Sequence, residues 1–286
     1  MFDSIAYLNG EWTPLRDARI PVLDRGFLFG DGIYDALIAY SGIPFHAEAH
    51  LARLDSSLRK ISLRNPFTVP EWIALISDLI RKNHQQRHHS IFIEITRGTW
   101  NGRMAFAEEA QPTVFMMSLP YAPPDAKLLK QGISAVTATD IRSQHRDIKS
   151  ISMLSNLLAK QLAISSHAEE TILFRDGYLT EGTSSNILAV IDGVICVPPK
   201  SNLSLPGVTC DIALELASQQ GIPVSVCPLS KAEVEQADEI WLTSTLRQIQ
   251  AITQLDGRAV GTGTPGPVFE RIAQAFKNEK IRLVPR

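Results

Sequence analysis

The sequence predicts an α+β protein of two domains, and three observations carry that reading. Amphipathic segments with the helical period sit among strand-like runs in the first half. In the second half strand-like runs outnumber helices, and the turns between them are short. Between the halves lies Leu119-Pro-Tyr-Ala-Pro-Pro-Asp125, a stiff proline-rich stretch. The domains are accordingly read as residues 1–120 and 128–286, with 121–127 as the linker.

Composition narrows the class. A chain of 286 residues with 44% apolar and 20% charged content has ample length for two modest cores and is ordinary for a soluble globular protein. Its net charge of −2 provides no electrostatic footprint for nucleic acid or a membrane surface. Cys196, Cys210 and Cys227 are widely spaced, without a CxxC pair, and suit a reducing compartment. The first residues, Met1-Phe-Asp-Ser-Ile5, lack the basic and apolar regions of a signal peptide, and no apolar run is long enough to span a bilayer. A cytoplasmic protein without nucleic-acid or membrane partners is expected.

The elements follow in order. Residues 5–8 and 11–13 flank Asn9-Gly10, a strong hairpin signal. Asp24-Arg-Gly-Phe-Leu-Phe-Gly30-Asp-Gly32-Ile-Tyr34 is punctuated by glycines and opens into a strand at 36–40. Its glycines point to close backbone packing or to a ligand lining, and their spacing is not that of a dinucleotide loop. Residues 45–61 read as a helix with Leu51, Leu54, Leu58 and Ile61 on one face and Arg53 beside it; a second helix covers 71–83 behind Pro70. His84, His88 and His89 lack a carboxylate at ligand spacing and read as a turn, with no metal expected. Strands at 90–98 and 113–118 bracket a loop holding Trp100, Gly102, Arg103 and Met104, the kind of connection that carries specificity on a rigid sheet.

Beyond the linker, a strand at 133–138 leads to Lys149 and then to a helical pattern with Ile151, Leu154, Leu158 and Leu162 on one face. Ser150 and Ser152 are its candidate caps. Strands are read at 171–174, after Asn186, at 194–197, at 239–243 and at 248–255, with helices at 211–220 and 268–277.

Lys149 lies between Ile148 and Ile151, with Arg146 nearby. Burial and a neighbouring cation disfavour an ammonium, and a neutral amine forms an imine with a carbonyl. Gly207-Val208-Thr209 open a helix whose N–H groups suit a phosphate. Thr243-Ser244-Thr245 add hydroxyls at a strand end, and Arg53 can fork onto an oxyanion. Glu181, within Thr180-Glu-Gly-Thr-Ser-Ser185, is surrounded by donors. Singly, each has an ordinary structural reading: a loop lysine, a helix cap, a strand-end turn, a surface charge, a turn glutamate. Together they match the needs of pyridoxal 5'-phosphate, which are an amine, a phosphate cradle and a carboxylate tuning the pyridine nitrogen.

The chain resembles the class IV (fold-type IV) pyridoxal-phosphate aminotransferases nearly end to end. The motifs that carry the resemblance are Asp24 through Tyr34, His50-Leu-Ala-Arg53-Leu, Asp147-Ile-Lys149-Ser, Thr180 through Asn186, Leu205-Pro-Gly-Val-Thr209 and Thr243-Ser-Thr245. The resemblance implies a two-domain homodimer with a smaller N-terminal α/β domain and a larger, β-rich C-terminal domain carrying the cofactor lysine. It implies that Lys149 is catalytic and holds the cofactor as an imine, and that Glu181 contacts the pyridine nitrogen. Arg53, Ser185, Val208, Thr209, Ser244 and Thr245 would complete the cofactor site, with Leu205 against the ring.

Within the family the chain is similar to the D-amino acid aminotransferases through Tyr34, Thr139-Asp-Ile-Arg142, Asp147-Ile-Lys-Ser150 and Thr264-Pro-Gly-Pro-Val268. Those enzymes grip the substrate carboxylate with the tyrosine and an Arg-x-His pair in the following loop; here that pair aligns with Gly102 and Met104, and Arg103 lies one residue off. Tyr34, Arg103 and Met104 are therefore the expected substrate residues, for an amino acid and a 2-oxo acid. Gly102-Arg103 is also similar to aminodeoxychorismate lyases, which release 4-aminobenzoate and pyruvate, although Ala36 lacks the hydroxyl expected there. Branched-chain L-amino acid transfer and cofactor binding without turnover are the other readings. Cys210 stands where many relatives carry arginine, with a modest effect expected because the backbone donors remain.

Overall fold

A computed structural model describes residues 4–100, 102, 104–106 and 111–283. The chain divides into two compact units, one comprising Met1–Ala122 and Ile148–Ser152, the other Pro123–Asp147 and Met153–Arg286. Lys149, expected with the C-terminal domain, thus packs with the first unit. Backbone pairing is the cause. Tyr34 N–H donates to the Lys149 carbonyl at 2.9 Å, Ile151 N–H donates to the Gly32 carbonyl at 3.2 Å, and Ser150 bridges to Ile33.

In the first unit the elements are β1 (Ile5–Leu8), β2 (Glu11–Pro14), α1 (Arg25–Phe29), β3 (Gly32–Tyr40), β4 (Ile43–Pro44), α2 (Ala47–Lys60), α3 (Val69–Lys82), β5 (His88–Thr96) and β6 (Thr113–Pro120). The strands form one antiparallel sheet in the order β2-β1-β6-β5-β3-β4. Asn9 and Gly10 both take positive φ, 50° and 98°, so the hairpin turn matches the strand twist. Leu51, Leu54 and Leu58 of α2 and Trp72, Ile76 and Leu79 of α3 form one core with Ile33, Leu37, Ile91, Ile93 and Ile95. Those strand residues alternate along β3 and β5, as a period of two requires. His88 and His89 belong to β5 rather than to a turn, and His89 is buried against Ser118 at 2.9 Å. The glycine-rich segment holds α1, capped by Asp24 through a 2.8 Å bond from Gly26 N–H and ended by Gly30 at φ 66°.

The second unit contains α4 (Ala126–Gln131), β7 (Ile133–Thr139), α5 (Leu154–Ser165), β8 (Glu170–Arg175), β9 (Tyr178–Glu181), β10 (Asn186–Ile191), β11 (Val194–Val197), α6 (Val208–Gln219), β12 (Val224–Val226), α7 (Lys231–Glu235), β13 (Glu239–Ser244), β14 (Gln248–Leu255), β15 (Arg258–Ala259) and α8 (Pro267–Leu283). Its nine-stranded sheet runs β12-β11-β10-β13-β14-β7-β8-β9, with β15 on β14. Ile172, Ile187, Ile240, Leu242 and Ile252 lie in its core. The end of the expected linker is helical, because Asp125 caps α4 by accepting from Lys127 N–H at 2.9 Å. Ser150 and Ser152 do not cap α5, which starts at Leu154; Ser152 N–H donates to Ser150 Oγ at 3.1 Å, and Ser152 Oγ donates to the Gly30 carbonyl at 3.0 Å. The apolar face expected for α5 stands in solvent, with Leu154 71% and Leu158 59% exposed. Among the described residues no helix is long and apolar enough to cross a membrane.

Candidate active site

In the first unit the lysine is held by the strand beside it. Lys149 N–H donates to Ser57 Oγ at 3.2 Å, and its Nζ reaches the Tyr34 hydroxyl at 3.5 Å, 4.4 Å from that ring's centroid. Phe92 stacks on Tyr34, with centroids 5.4 Å apart, and so limits where the phenol can turn. Two glycines permit this approach. A Cβ on Gly32 would lie 2.8 Å from the Ile95 carbonyl oxygen, and one on Gly30 would lie 2.3 Å from Ser152 Oγ. Both positions are closely packed, one of the two uses the sequence suggests for these glycines.

Arg53 is buried rather than a surface charge. Its Nε and Nη2 fork onto Asp35, both at 2.8 Å, and His50 Nδ1 lies 2.8 Å from the same carboxylate. Burial opposes the Asp35 charge, but the Arg53 guanidinium and His50 hold the carboxyl well below the usual carboxylate range. His50 is pushed below an ordinary histidine, first by burial and with Arg53 and Lys149 adding to the effect, while Asp35 resists it. Met104 is 68% exposed, and its carbonyl accepts from Arg25 Nη2 at 3.1 Å. Arg103 lies outside the described residues.

In the second unit Glu181 ends β9 and is buried. One oxygen accepts from Arg142 Nη1 at 2.5 Å and the other from Leu205 N–H at 2.9 Å, with Arg146 Nε 3.9 Å away. Burial pushes the Glu181 carboxyl up, and Arg142, the Leu205 N–H and Arg146 pull against the rise. Arg142 is itself gripped by Asp140, which accepts from Nε at 2.9 Å and Nη2 at 2.8 Å. Burial works against the Asp140 charge, yet these bonds and the Thr180 hydroxyl bring its carboxyl down to about 2. The donors that support Glu181 are therefore an arginine from before the lysine segment and a backbone N–H, not the hydroxyls of its own turn. The sequence motif at 139–142 contains that arginine but gives no indication of its partner.

Gly207 caps α6 without any side-chain cap, so the first N–H groups of that helix, at Val208 and Thr209, could serve as an anion cradle. A Cβ at Gly207 would lie 1.8 Å from Asn186 Oδ1, while Asn186 Nδ2 holds the Leu205 carbonyl at 2.8 Å. Asn186 thus pins the cradle's entry. Burial, with Asp211 adding to it, pushes the Cys210 thiol up to about 12, so it contributes no charge beside the cradle. Ser244 Oγ accepts from Arg247 N–H at 3.2 Å, and Ser185 Oγ donates to Glu170 at 2.9 Å. Taken unit by unit, the tyrosine-walled amine of the first and the uncapped helix terminus and buried carboxylate of the second are each of a chemical kind that pyridoxal 5'-phosphate needs.

The family model of class IV amino-transferases matches residues 32–255. A D-alanine aminotransferase from Bacillus licheniformis is 34% identical over 94% of this chain and 95% of its own length. Among solved structures, a branched-chain amino acid aminotransferase from Escherichia coli superposes with a TM-score of 0.89 at 28% identity, covering 96% of this chain and 94% of its own. A branched-chain aminotransferase from the archaeon Thermoproteus uzoniensis, solved with norvaline and 23% identical, shares the fold with a TM-score of 0.86, covering 98% of this chain and 94% of its own.

Proposed function

Because this chain belongs to the class IV aminotransferases, pyridoxal-phosphate enzymes by family, we propose that it moves the amino group of a D-amino acid to a 2-oxo acid, with Lys149 as the catalytic residue. The observation that carries the assignment is the Lys149 amine set 3.5 Å from the Tyr34 hydroxyl on a backbone-paired segment. The likeness to D-alanine aminotransferases supports the D-amino acid substrate.

When bound, pyridoxal 5'-phosphate supplies an aldehyde for amines and a ring that withdraws electrons from the reacting carbon. Lys149 supplies the protein's amine and moves the proton at the substrate α-carbon. Glu181 holds a proton on the pyridine nitrogen, and Arg142 limits the rise that burial imposes on that carboxyl. Val208 and Thr209 N–H groups, with Ser244, Thr245 and Arg53, bind the phosphate, and Ser185 and Leu205 complete the site. Tyr34, with Arg103 and Met104, orients the substrate.

The protein works as a homodimer in the cytoplasm. Exposed apolar side chains support the dimer: Val22 at 73% and Phe27 at 70% in the first unit, Leu154 at 71% and Leu157 at 60% in the second.

Half-reactions of the cofactor-loaded protein test the substrate. D-Alanine is expected to shift the visible spectrum, and L-leucine and L-glutamate are not. A shift with L-leucine alone would instead support the branched-chain reading, which the Escherichia coli structure favours.

A further inference from the structure

Ser185 and the Ser244-Thr245 pair sit on two turns far apart in sequence, and one buried carboxylate connects them. Glu170, at the start of β8, is 1% exposed. Its Oε1 accepts from the Thr183 N–H at 3.0 Å, the Thr183 hydroxyl at 2.6 Å and the Thr171 N–H at 2.9 Å. Its Oε2 accepts from the Ser185 hydroxyl at 2.9 Å and from Arg247 Nη1 at 3.1 Å. Such convergence uses both oxygens of the side chain as acceptors.

Each turn is tight. A Cβ on Gly182 would stand 2.2 Å from Ser185 Oγ and 3.2 Å from Glu170 Cδ, so the first turn has no slack. In the second, Arg247 N–H bonds Ser244 Oγ at 3.2 Å, Arg247 Nε bonds Gln250 at 2.8 Å, and Gln248 is held at φ 59° although it has a side chain. The first turn also leads back to Glu181. The Thr183 carbonyl accepts from Asn156 Nδ2 at 2.6 Å, and Asn156 Oδ1 accepts from Arg146 Nη2 at 2.8 Å. Arg146 Nε is in turn 3.9 Å from Glu181.

We propose that Glu170 is a positioning residue for the cofactor: it locks the 182–185 turn and, through Arg247, the 244–247 turn, so that Glu181, Ser185, Ser244 and Thr245 are preorganised before the cofactor arrives. The role rests on the assignment of those four residues to pyridoxal 5'-phosphate. A buried ion pair contributes little net stability compared with apolar packing of the same volume, so its worth here is geometric. Groups fixed in advance do not lose freedom on binding, and the affinity gains accordingly.

Calorimetric titration of the cofactor-free protein tests this with two probes, pyridoxamine 5'-phosphate, whose amine cannot form an imine with Lys149, and inorganic phosphate. Glu170→Gln keeps the size but turns an amide toward the Ser185 and Arg247 donors. It is expected to weaken pyridoxamine 5'-phosphate binding roughly tenfold to a hundredfold, as the loss of a charge-assisted bond does. Arg247→Met is expected to weaken both probes by roughly tenfold through the 244–247 turn alone. A lower melting temperature of the unliganded variants, with affinities within twofold of the unaltered protein, would mean that Glu170 serves stability only and would overturn the proposal. Should Glu170→Gln fail to fold, Arg247→Met, altered at a partly exposed side chain, decides by the same criterion. If the unaltered protein binds neither probe, the cofactor assignment falls and the proposal with it. If it binds and both variants bind alike, only the role of Glu170 falls.

Discussion

Replacing Arg142 by methionine should unsettle Glu181 in a way that pH reveals. The guanidinium is 1% exposed and makes three bonds to carboxylates, at 2.5 Å to Glu181 and at 2.9 and 2.8 Å to Asp140. Removing one member of a buried ion pair costs ~3–5 kcal/mol. Asp140 retains Arg175 at 3.4 Å and the Thr180 hydroxyl at 2.8 Å, which puts the expected loss near the lower limit, ~3 kcal/mol. Glu181 keeps the Leu205 N–H but loses the largest influence opposing its burial, so its carboxyl rises further above the unfolded value of 4.5. The sign follows from proton binding. A carboxyl with a raised folded-state pKa contributes most below its unfolded value, and that contribution is lost as pH climbs through the folded value. The stability gap between the unaltered protein and Arg142→Met should therefore widen as pH rises above the unfolded value of 4.5, by up to ~1.4 kcal/mol per pH unit while Glu181 titrates. Urea unfolding of the cofactor-free proteins at several pH values measures it. A loss below ~0.5 kcal/mol, within the range of an ordinary surface change, or a gap that does not vary with pH, would refute the coupling between Arg142 and Glu181.

Three further outcomes are expected. Lys149→Ala should abolish the visible absorbance that pyridoxal 5'-phosphate acquires on binding, and its persistence would assign the imine to another lysine. Gly207→Ala drives a Cβ to 1.8 Å from Asn186 Oδ1 and should weaken pyridoxamine 5'-phosphate binding by roughly tenfold, measured by calorimetry. Asp140 has a folded-state pKa of about 2 against 3.8, so its contribution of about 2 kcal/mol is present above pH 4 and lost as pH falls toward 2. The stability gap between the unaltered protein and Asp140→Asn should accordingly shrink over that range in acid denaturation.

Local chemistry by itself determined a good part of this protein. The Asn9-Gly10 hairpin, the amphipathic faces of α2 and α3 and the uncapped start of α6 depend on residues within a turn or two of one another, and the sequence displays them directly. The order of the six motifs likewise identified the family. Short elements were less legible: α1 hides among glycines, α4 follows prolines, and β12 is held chiefly by pairing with β11. Propensity over so few residues is weak, and tertiary contact overrides it. The apolar face of α5 was visible in the sequence, but its exposure was not, since periodicity says which residues share a face and not what covers it. Only the tertiary structure decided that Lys149 pairs with β3, that Arg142 supports Glu181 and that Glu170 meets Arg247 across 77 positions of chain. Those partners are separated in sequence and joined by hydrogen bonds whose geometry exists only after the sheets have formed, so the motifs are visible in the sequence while the groups that hold them in place are not.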